Sequence, residues 1–221
     1  MDAALAAGEY IPHLCHHPGF KPHGSCRVCL VKNNGRFVSA CTEPARAGEQ
    51  YENNSDAINT QRRSLLQMLF VEGNHVCPGC EKSGACQLQA VAYYTEMLAP
   101  HYTHFFPQRE VDASHPDIAI DFNRCILCEL CVRASRDVDG KDVFAISGRG
   151  RNARLIINSR SGKLEDSALT ADDKAADICP VGAILSKHKG YEVPIGERLY
   201  DKNPINRVGD VHPSDEEPVD G

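Results

Sequence analysis

Eleven cysteines divide into three groups with the spacing of thiolates that hold iron and sulfide. Cys15, Cys26, Cys29 and Cys41 read C-x10-C-x2-C-x11-C. Cys77, Cys80 and Cys86 read C-x2-C-x5-C, with His75 just ahead. Cys125, Cys128 and Cys131 read C-x2-C-x2-C, completed much later by Cys179-Pro180. Groups of four, three and four use every cysteine, and a histidine stands beside the group that is one ligand short. Thiolates bind iron–sulfur clusters in such sets, and the C-x2-C-x2-C run with a distant Cys-Pro is the most specific of the three. The chemistry they support is the movement of single electrons.

The first set suits a [2Fe–2S] cluster. Cys26-Arg27-Val28-Cys29 puts two sulfurs on one tight loop, and Gly24 permits a backbone conformation that other residues rarely adopt. A structural zinc site is the competing use of four cysteines. The second set suits a [4Fe–4S] cluster once a fourth donor joins it. His75 is the natural candidate; His101 and His104 are alternatives, and hydrogen bonding to nearby backbone is the plainer role for His75. A neutral imidazole in place of a thiolate removes negative charge and raises the potential, as in Rieske centres. The third set suits a single [4Fe–4S] cluster, since no second C-x2-C-x2-C run exists. Ile126, Leu127, Leu130, Val132 and Ile178 are available to shield it. Gly148 to Ala153 fits G-x-G-x-x-A, but that motif binds dinucleotides only where a strand turns into a helix. Here the strand-like Leu155-Ile156-Ile157 follows, so a hairpin is expected.

The 221 residues include no tryptophan, thirteen prolines and seventeen glycines, so no single large core is expected. Each cysteine set occupies a segment of roughly 50–70 residues, a size that usually needs a metal or disulfide to stay folded. Ligand binding would then be folding free energy, leaving the apo-protein poorly folded. An odd cysteine count, C-x2-C pairs and no secretory signal argue against disulfides and for a reducing, cytoplasmic setting. No window approaches the roughly 20 apolar residues of a membrane span. The net charge of −6 offers no general attraction to nucleic acid.

The elements that must position these ligands are short. Ala3 to Ala7 ends a helix at Gly8. Leu30-Val31-Lys32 and Arg36 to Ser39 flank Asn33-Asn34-Gly35, a hairpin signal. Thr60 is placed to cap a helix running through Phe70, with Gly73 past its end. A second helix is expected from about Gln87 to Leu98. His101 to Pro116 reads as an irregular connection and Ile118 to Ile120 as a strand. Ile126 to Ser135 reads as a loop entering a helix, and Val143 to Ile146 with Leu155 to Ile157 as a β pair whose turn exposes Arg149, Arg151 and Arg154. Ala171 to Ala176 is a helical turn delivering Cys179. After Lys189 the hydrophobic period is lost and the chain runs into an acidic stretch from Asp215 to Asp220. Such a tail reads as disordered or as an arm laid on a partner.

The three motifs in this order resemble the small iron–sulfur subunit of the diaphorase half of NAD-reducing nickel–iron hydrogenases, over nearly the whole chain. The more specific pieces are Ile11-Pro12-His13-Leu14-Cys15, Glu72 to Cys77, and Val193 to Arg198. Cluster domains of the same kind occur in the large iron–sulfur subunit of NADH:quinone oxidoreductase, in formate dehydrogenases and in iron-only hydrogenases. Those continue into large further domains, for which little chain remains here after Cys179. The resemblance implies an α+β fold of modules. These are a β-grasp [2Fe–2S] ferredoxin-like domain over 1–58, a small helical His/Cys module over 59–108, a [4Fe–4S] ferredoxin-like domain over 109–189, and a partner-binding tail over 190–221. Met1 falls within the Ala-rich helix, so the N-terminal hairpin of the family is expected to be missing and the first domain to be less stable than its relatives. By resemblance the chain carries one [2Fe–2S] and two [4Fe–4S] clusters between a flavin- and NADH-binding diaphorase subunit and the nickel–iron hydrogenase small and large subunits. FMN and NAD would sit on the partner, and the assembly would run H2 + NAD+ to NADH + H+. The equivalent module of a formate dehydrogenase or a respiratory NADH dehydrogenase is the alternative. A zinc-stabilised scaffold is the alternative from another class.

Overall fold

The computed structural model describes residues 1–210, so the acidic stretch from Asp215 to Asp220 lies outside the described residues. The chain opens with α1 (Asp2–Ala6), stopped at Gly8, whose φ of +76° no helix continues. Then β1 (Leu30–Asn33) and β2 (Arg36–Ser39) form the expected hairpin. Asn34 and Gly35 take φ of +48° and +82°, the left-handed pair that an Asn-Gly turn supplies. The register sets Leu30 opposite Ser39 and Asn33 opposite Arg36. The two-residue β3 (Tyr51–Glu52) pairs with the other edge of β1, giving an antiparallel sheet of order β2-β1-β3.

Burial, not capping propensity, sets the next boundaries. Helix α2 (Asp56–Glu72) starts ahead of Thr60, with Ser55 at its N-cap and Asp56 facing the positive end of the helix dipole. The extra turn buries Ile58, and further along the helix the buried Arg62 guanidinium donates to Leu30 O at 2.7 Å and ties the helix to β1. Gly73 follows α2 as expected, but not as a left-handed cap, since its φ is −118°. A Cβ there would stand 2.6 Å from His75 Nε2 and 2.9 Å from Asn123 O, so close approach requires the glycine. Helix α3 (Gln87–Tyr94) ends before Leu98. The Thr95 amide and hydroxyl both donate to Val91 O, and Glu96 turns the chain away at φ +59°.

The connection from His101 to Pro116 is less irregular than expected. It contributes β4 (Val111–Asp112), paired with β5 (Ile118–Asp121), and β8 (Ile184–Ser186) completes an antiparallel sheet of order β4-β5-β8. Helix α4 (Leu130–Asp137) leaves the third cysteine loop. Strands β6 (Phe144–Ser147) and β7 (Arg154–Ile157) pair antiparallel, so Gly148 to Ala153 is a hairpin turn and Arg149, Arg151 and Arg154 are exposed. The single turn of α5 (Lys174–Asp177) packs on α4 and β8 and leads into Cys179.

One expectation is corrected. One contiguous cluster of buried apolar side chains runs from Leu14 to Ile205, with Cys15, Cys26, Cys86, Cys128, Cys131 and Cys179 among its members; only a small second cluster around Ile11, Val31 and Val38 stands apart. The core is therefore large, and the cysteines are part of it. Residues 190–210, read from the sequence as disordered or as an arm laid on a partner, make specific contacts with this chain. The Tyr191 hydroxyl donates to Gly79 O at 3.0 Å, Arg198 Nη1 to Ser83 O at 3.1 Å, and the Tyr200 amide to Gly84 O at 2.8 Å. Asp201 holds the Arg198 guanidinium from both sides, and α6 (Ile205–Val208) buries Ile205 completely against α3. Isolated anchors, not a periodic face, fix this strap. Among the described residues no helix is long and apolar enough to cross a membrane.

Because the strap has so few anchors, Ile205→Ala is expected to cost about 2–5 kcal/mol. Urea unfolding of the loaded chain checks this, and protease cleavage after Lys189 should appear first. A loss under about 0.5 kcal/mol, the usual range for a surface change, would show that the strap merely rests on the surface.

Candidate metal centres

Each cysteine set closes on itself in space. In the first, Cys15, Cys26, Cys29 and Cys41 are all buried, on the loops before and after the β1–β2 hairpin. Arg27 takes φ +60° between two of the sulfurs, and Gly24 takes φ +73° with Thr42 packed against it. The Cys26 amide donates to Cys15 Sγ at 3.4 Å. The Cys26 and Cys41 thiols hold Cys15 below the usual thiol range, and Cys41 holds Cys29 down to about 7. Cys26 and Cys41, which carry the shared protons, are raised. Four sulfurs sharing too few protons are a set ready to exchange them for metal.

The second set occupies a loop with little structure of its own. Its one regular feature is a 3-10 turn, Cys77–Gly79. Cys77, Cys80, Cys86 and His75 line one recess between α2 and α3, with Phe70, Leu88, Arg124 and Gly182. His75 Nε2 is buried without a hydrogen-bond partner, against the plainer role weighed for this residue. Burial first, and the Arg124 charge second, lower the His75 pKa to about 4, so the imidazole is neutral and able to ligate until pH falls through that value. His104 stacks on Phe106 and lines only a wider outer groove shared with His75; His101 lines neither. Burial pushes the Cys86 thiol up to about 12 and raises Cys77.

In the third set Cys125, Cys128 and Cys131 face Cys179 across a recess. Leu127 and Glu129, at φ +51° and +60°, wind the loop round that space. Ile126 and Leu127 line it as expected, together with Glu129, Ile146, Leu155, Val181, Ala183 and Ile184. Leu130 and Ile178 are buried in the core behind it, against which Val132 packs. Burial drives the Cys125 thiol up to about 11 and raises Cys128 and Cys131. Thiolates in such dry surroundings need a cation to offset them, which iron supplies. Among the described residues no three Cys, His, Asp or Glu donors converge as they would on a single ion. The second and third sets instead ring spaces between them.

The three sites are joined through the third. Arg133, on α4, donates to the backbone oxygens of Cys15 and Cys128, and Ser25 Oγ donates to Leu127 O at 3.2 Å. On the other side Arg124 Nη1 lies 3.6 Å from Cys80 Sγ, and the Gln87 amide donates to Pro180 O at 2.9 Å. The spatial order is first, third, second. Spacing alone misses Arg124, Arg133 and Gly182. Only the position of Arg124 immediately before Cys125 hints at its role.

Three family models match separate stretches. A 2Fe-2S iron-sulfur cluster binding domain covers residues 1–56. The iron-sulfur binding region of NADH-ubiquinone oxidoreductase-G covers 62–101, and the ferredoxin-like domain of NADH-quinone oxidoreductase subunit 3 covers 115–185. The gamma subunit of the NAD-reducing hydrogenase HoxS of Cupriavidus necator is 42% identical over 202 residues, spanning 91% of this chain and 86% of that one. This chain belongs to the NAD-reducing hydrogenase gamma-subunit family. A chain in the crystal structure of an NAD+-reducing [NiFe]-hydrogenase in the H2-reduced state matches this gamma-type chain with a TM-score of 0.91. The two are 55% identical, over 95% of this chain and 89% of that one. The alpha subunit of a Geobacter sulfurreducens NADPH-Fe(3+) oxidoreductase is 31% identical. The mitochondrial 78 kDa subunit of the Candida albicans NADH-ubiquinone oxidoreductase is 30% identical. The gamma-type chain spans only 22% and 26% of their lengths.

The joint between the second and third sites gives a direct test. A Cβ on Gly182 would stand 2.7 Å from Cys80 Sγ and 3.2 Å from Lys82 Cβ. Gly182→Ala is expected to displace Cys80 and make the second cluster labile, lowering iron and sulfide content while leaving the [2Fe–2S] EPR signal intact. Wild-type iron content with an unchanged spectrum would refute the tight joint.

Proposed function

We propose that this chain is the iron–sulfur electron-transfer subunit of an NAD-reducing hydrogenase. It passes electrons between a flavin- and NAD(H)-binding subunit and the nickel–iron hydrogenase small and large subunits. It belongs to an oxidoreductase complex and makes and breaks no bonds itself. The observation that carries this reading is the gathering of all eleven cysteines and His75 round three buried sites, in a chain that aligns along most of its length with a hydrogenase subunit. On this reading Cys15, Cys26, Cys29 and Cys41 hold a [2Fe–2S] cluster. His75, Cys77, Cys80 and Cys86 hold one [4Fe–4S] cluster, and Cys125, Cys128, Cys131 and Cys179 hold another. A bound cluster supplies a site that takes up and releases one electron. The protein's part is to anchor it, exclude water and offset its charge.

The same reading divides the chain into a β-grasp-like module over 1–58, a His/Cys module over 59–108, a ferredoxin-like module over 109–189 and a tail over 190–221. The contacts made by Arg133 and Arg124 support transfer through the third site in either direction. A cytoplasmic setting goes with eleven free cysteines, which an oxidising compartment would pair.

Anaerobically purified protein is expected to hold about ten irons and as many labile sulfides, with both [2Fe–2S] and [4Fe–4S] signals on reduction. Zinc without sulfide would overturn the reading. In the assembled complex Cys125→Ser is expected to abolish H2-dependent NAD+ reduction. Dye reduction by H2 at one end and by NADH at the other should survive. His75→Ala should lose the second cluster, whereas His75→Cys should keep it at a lower potential, because a thiolate adds negative charge.

A further inference from the structure

Arg133 is a charged side chain in the middle of the molecule with 6% of its surface exposed. All of its hydrogen bonds go to neutral oxygens: Nε to Glu129 O at 3.3 Å, Nη1 to Lys21 O at 3.2 Å, and Nη2 to Cys15 O and to Cys128 O, the latter at 3.4 Å. Its guanidinium also lies over the Phe20 ring, 5.5 Å from the centroid. Among the described residues it forms no ion pair with a carboxylate. Asp137, one turn further along α4, gives both of its oxygens to Arg136. The Glu129 carboxylate pairs with His23. Asp137 feels Arg133 only as a weak, longer-range charge, and a buried cation without a direct ion pair costs several kcal/mol and is rarely kept unless more opposite charge lies nearby.

Two groups of opposite charge are implied by the preceding section, one on each side. Arg133 touches the backbone of one proposed ligand of the [2Fe–2S] site and one of the third, [4Fe–4S] site. Each centre, with four thiolates, carries net negative charge that grows by one on reduction. We propose that Arg133 is the shared counter-charge of these two centres, raising the potentials of both and offsetting the repulsion an electron meets in passing between them. The second centre lies beyond its reach and has its own cation, Arg124, 3.6 Å from Cys80 Sγ. The inference rests on the iron–sulfur reading of the first and third sites.

The test is a potentiometric EPR titration of the full chain, purified anaerobically with its clusters, as wild type, Arg133→Gln and Arg133→Lys. In Arg133→Gln both the [2Fe–2S] signal and the third-site [4Fe–4S] signal are expected to titrate lower. The ratio of reduced to oxidised cluster at fixed potential should fall about tenfold, equivalent to about 59 mV for a one-electron couple. The His75-linked cluster should titrate unchanged, and Arg133→Lys should restore most of the shift. Unmoved potentials in a fully loaded Arg133→Gln would overturn the proposal. So would equal loss of iron from both variants, which would assign Arg133 a role only in folding. A wild type without iron or sulfide would instead remove the reading on which the proposal rests.

Discussion

Thiolates are costly to bury, and the arrangement of this molecule follows from burying so many. Cys86, Cys128 and Cys131 sit where desolvation first, and neighbouring cysteine charges second, drive their protons on, so charged sulfur there requires metal. The same residues belong to the main hydrophobic cluster. Core and cofactor site are thus one object, and the regular elements around it can be very short. Every described strand has four residues or fewer, and α5 is one turn. Elements of that length have no stability of their own. Packing against ligand loops holds them, and metal in the loops would hold the packing.

The return of the chain at Cys179 organises everything else. Pro180 O receives the Gln87 amide at the start of α3, Gly182 lies against Cys80, and Ile184 begins the strand that pairs with β5. One short stretch therefore completes the third cysteine set, closes its sheet and positions the second set. The cysteine set that comes last in sequence consequently touches both of the others. Two arginines make the junctions, one on each side. Arg is suited to this place because its planar fork stays charged when buried and reaches several carbonyls at once.

Legibility in the sequence followed from how local the determining physics is. The Asn34-Gly35 hairpin and the β6–β7 pair were readable because turn chemistry and strand alternation are neighbour effects. The grouping of the cysteines was readable because spacing of that kind is written in residue counts. The start of α2 was not, because the burial of Ile58 decides it and Thr60 is an equally good cap on local grounds. Gly73 was correctly seen as special but for another reason: the ring of His75 and the backbone of Asn123 approach it. The strap's contacts with its own chain were not legible because four or five scattered anchors leave no period. Arg133 was invisible because an arginine inside a helix ordinarily marks the solvent face.

Three of the nine non-glycine residues with left-handed backbone among the described residues lie within the proposed centres. Arg27, Leu127 and Glu129 hold left-handed backbone that costs of order 1–3 kcal/mol each. All three lie between cysteines of one loop, where a smoother backbone would turn the sulfurs apart. Strain of this kind persists only where its surroundings over-determine it. In the first and third sites the sheet and α4 do so. The second site has only a 3-10 turn of its own, and its loop is held from outside, by Arg124 on one side and by Tyr191, Arg198 and Tyr200 of the strap on the other. The strap is therefore better understood as the missing secondary structure of the second site than as an appendage, which explains how so few anchors suffice to keep a chain with no hydrophobic period in place.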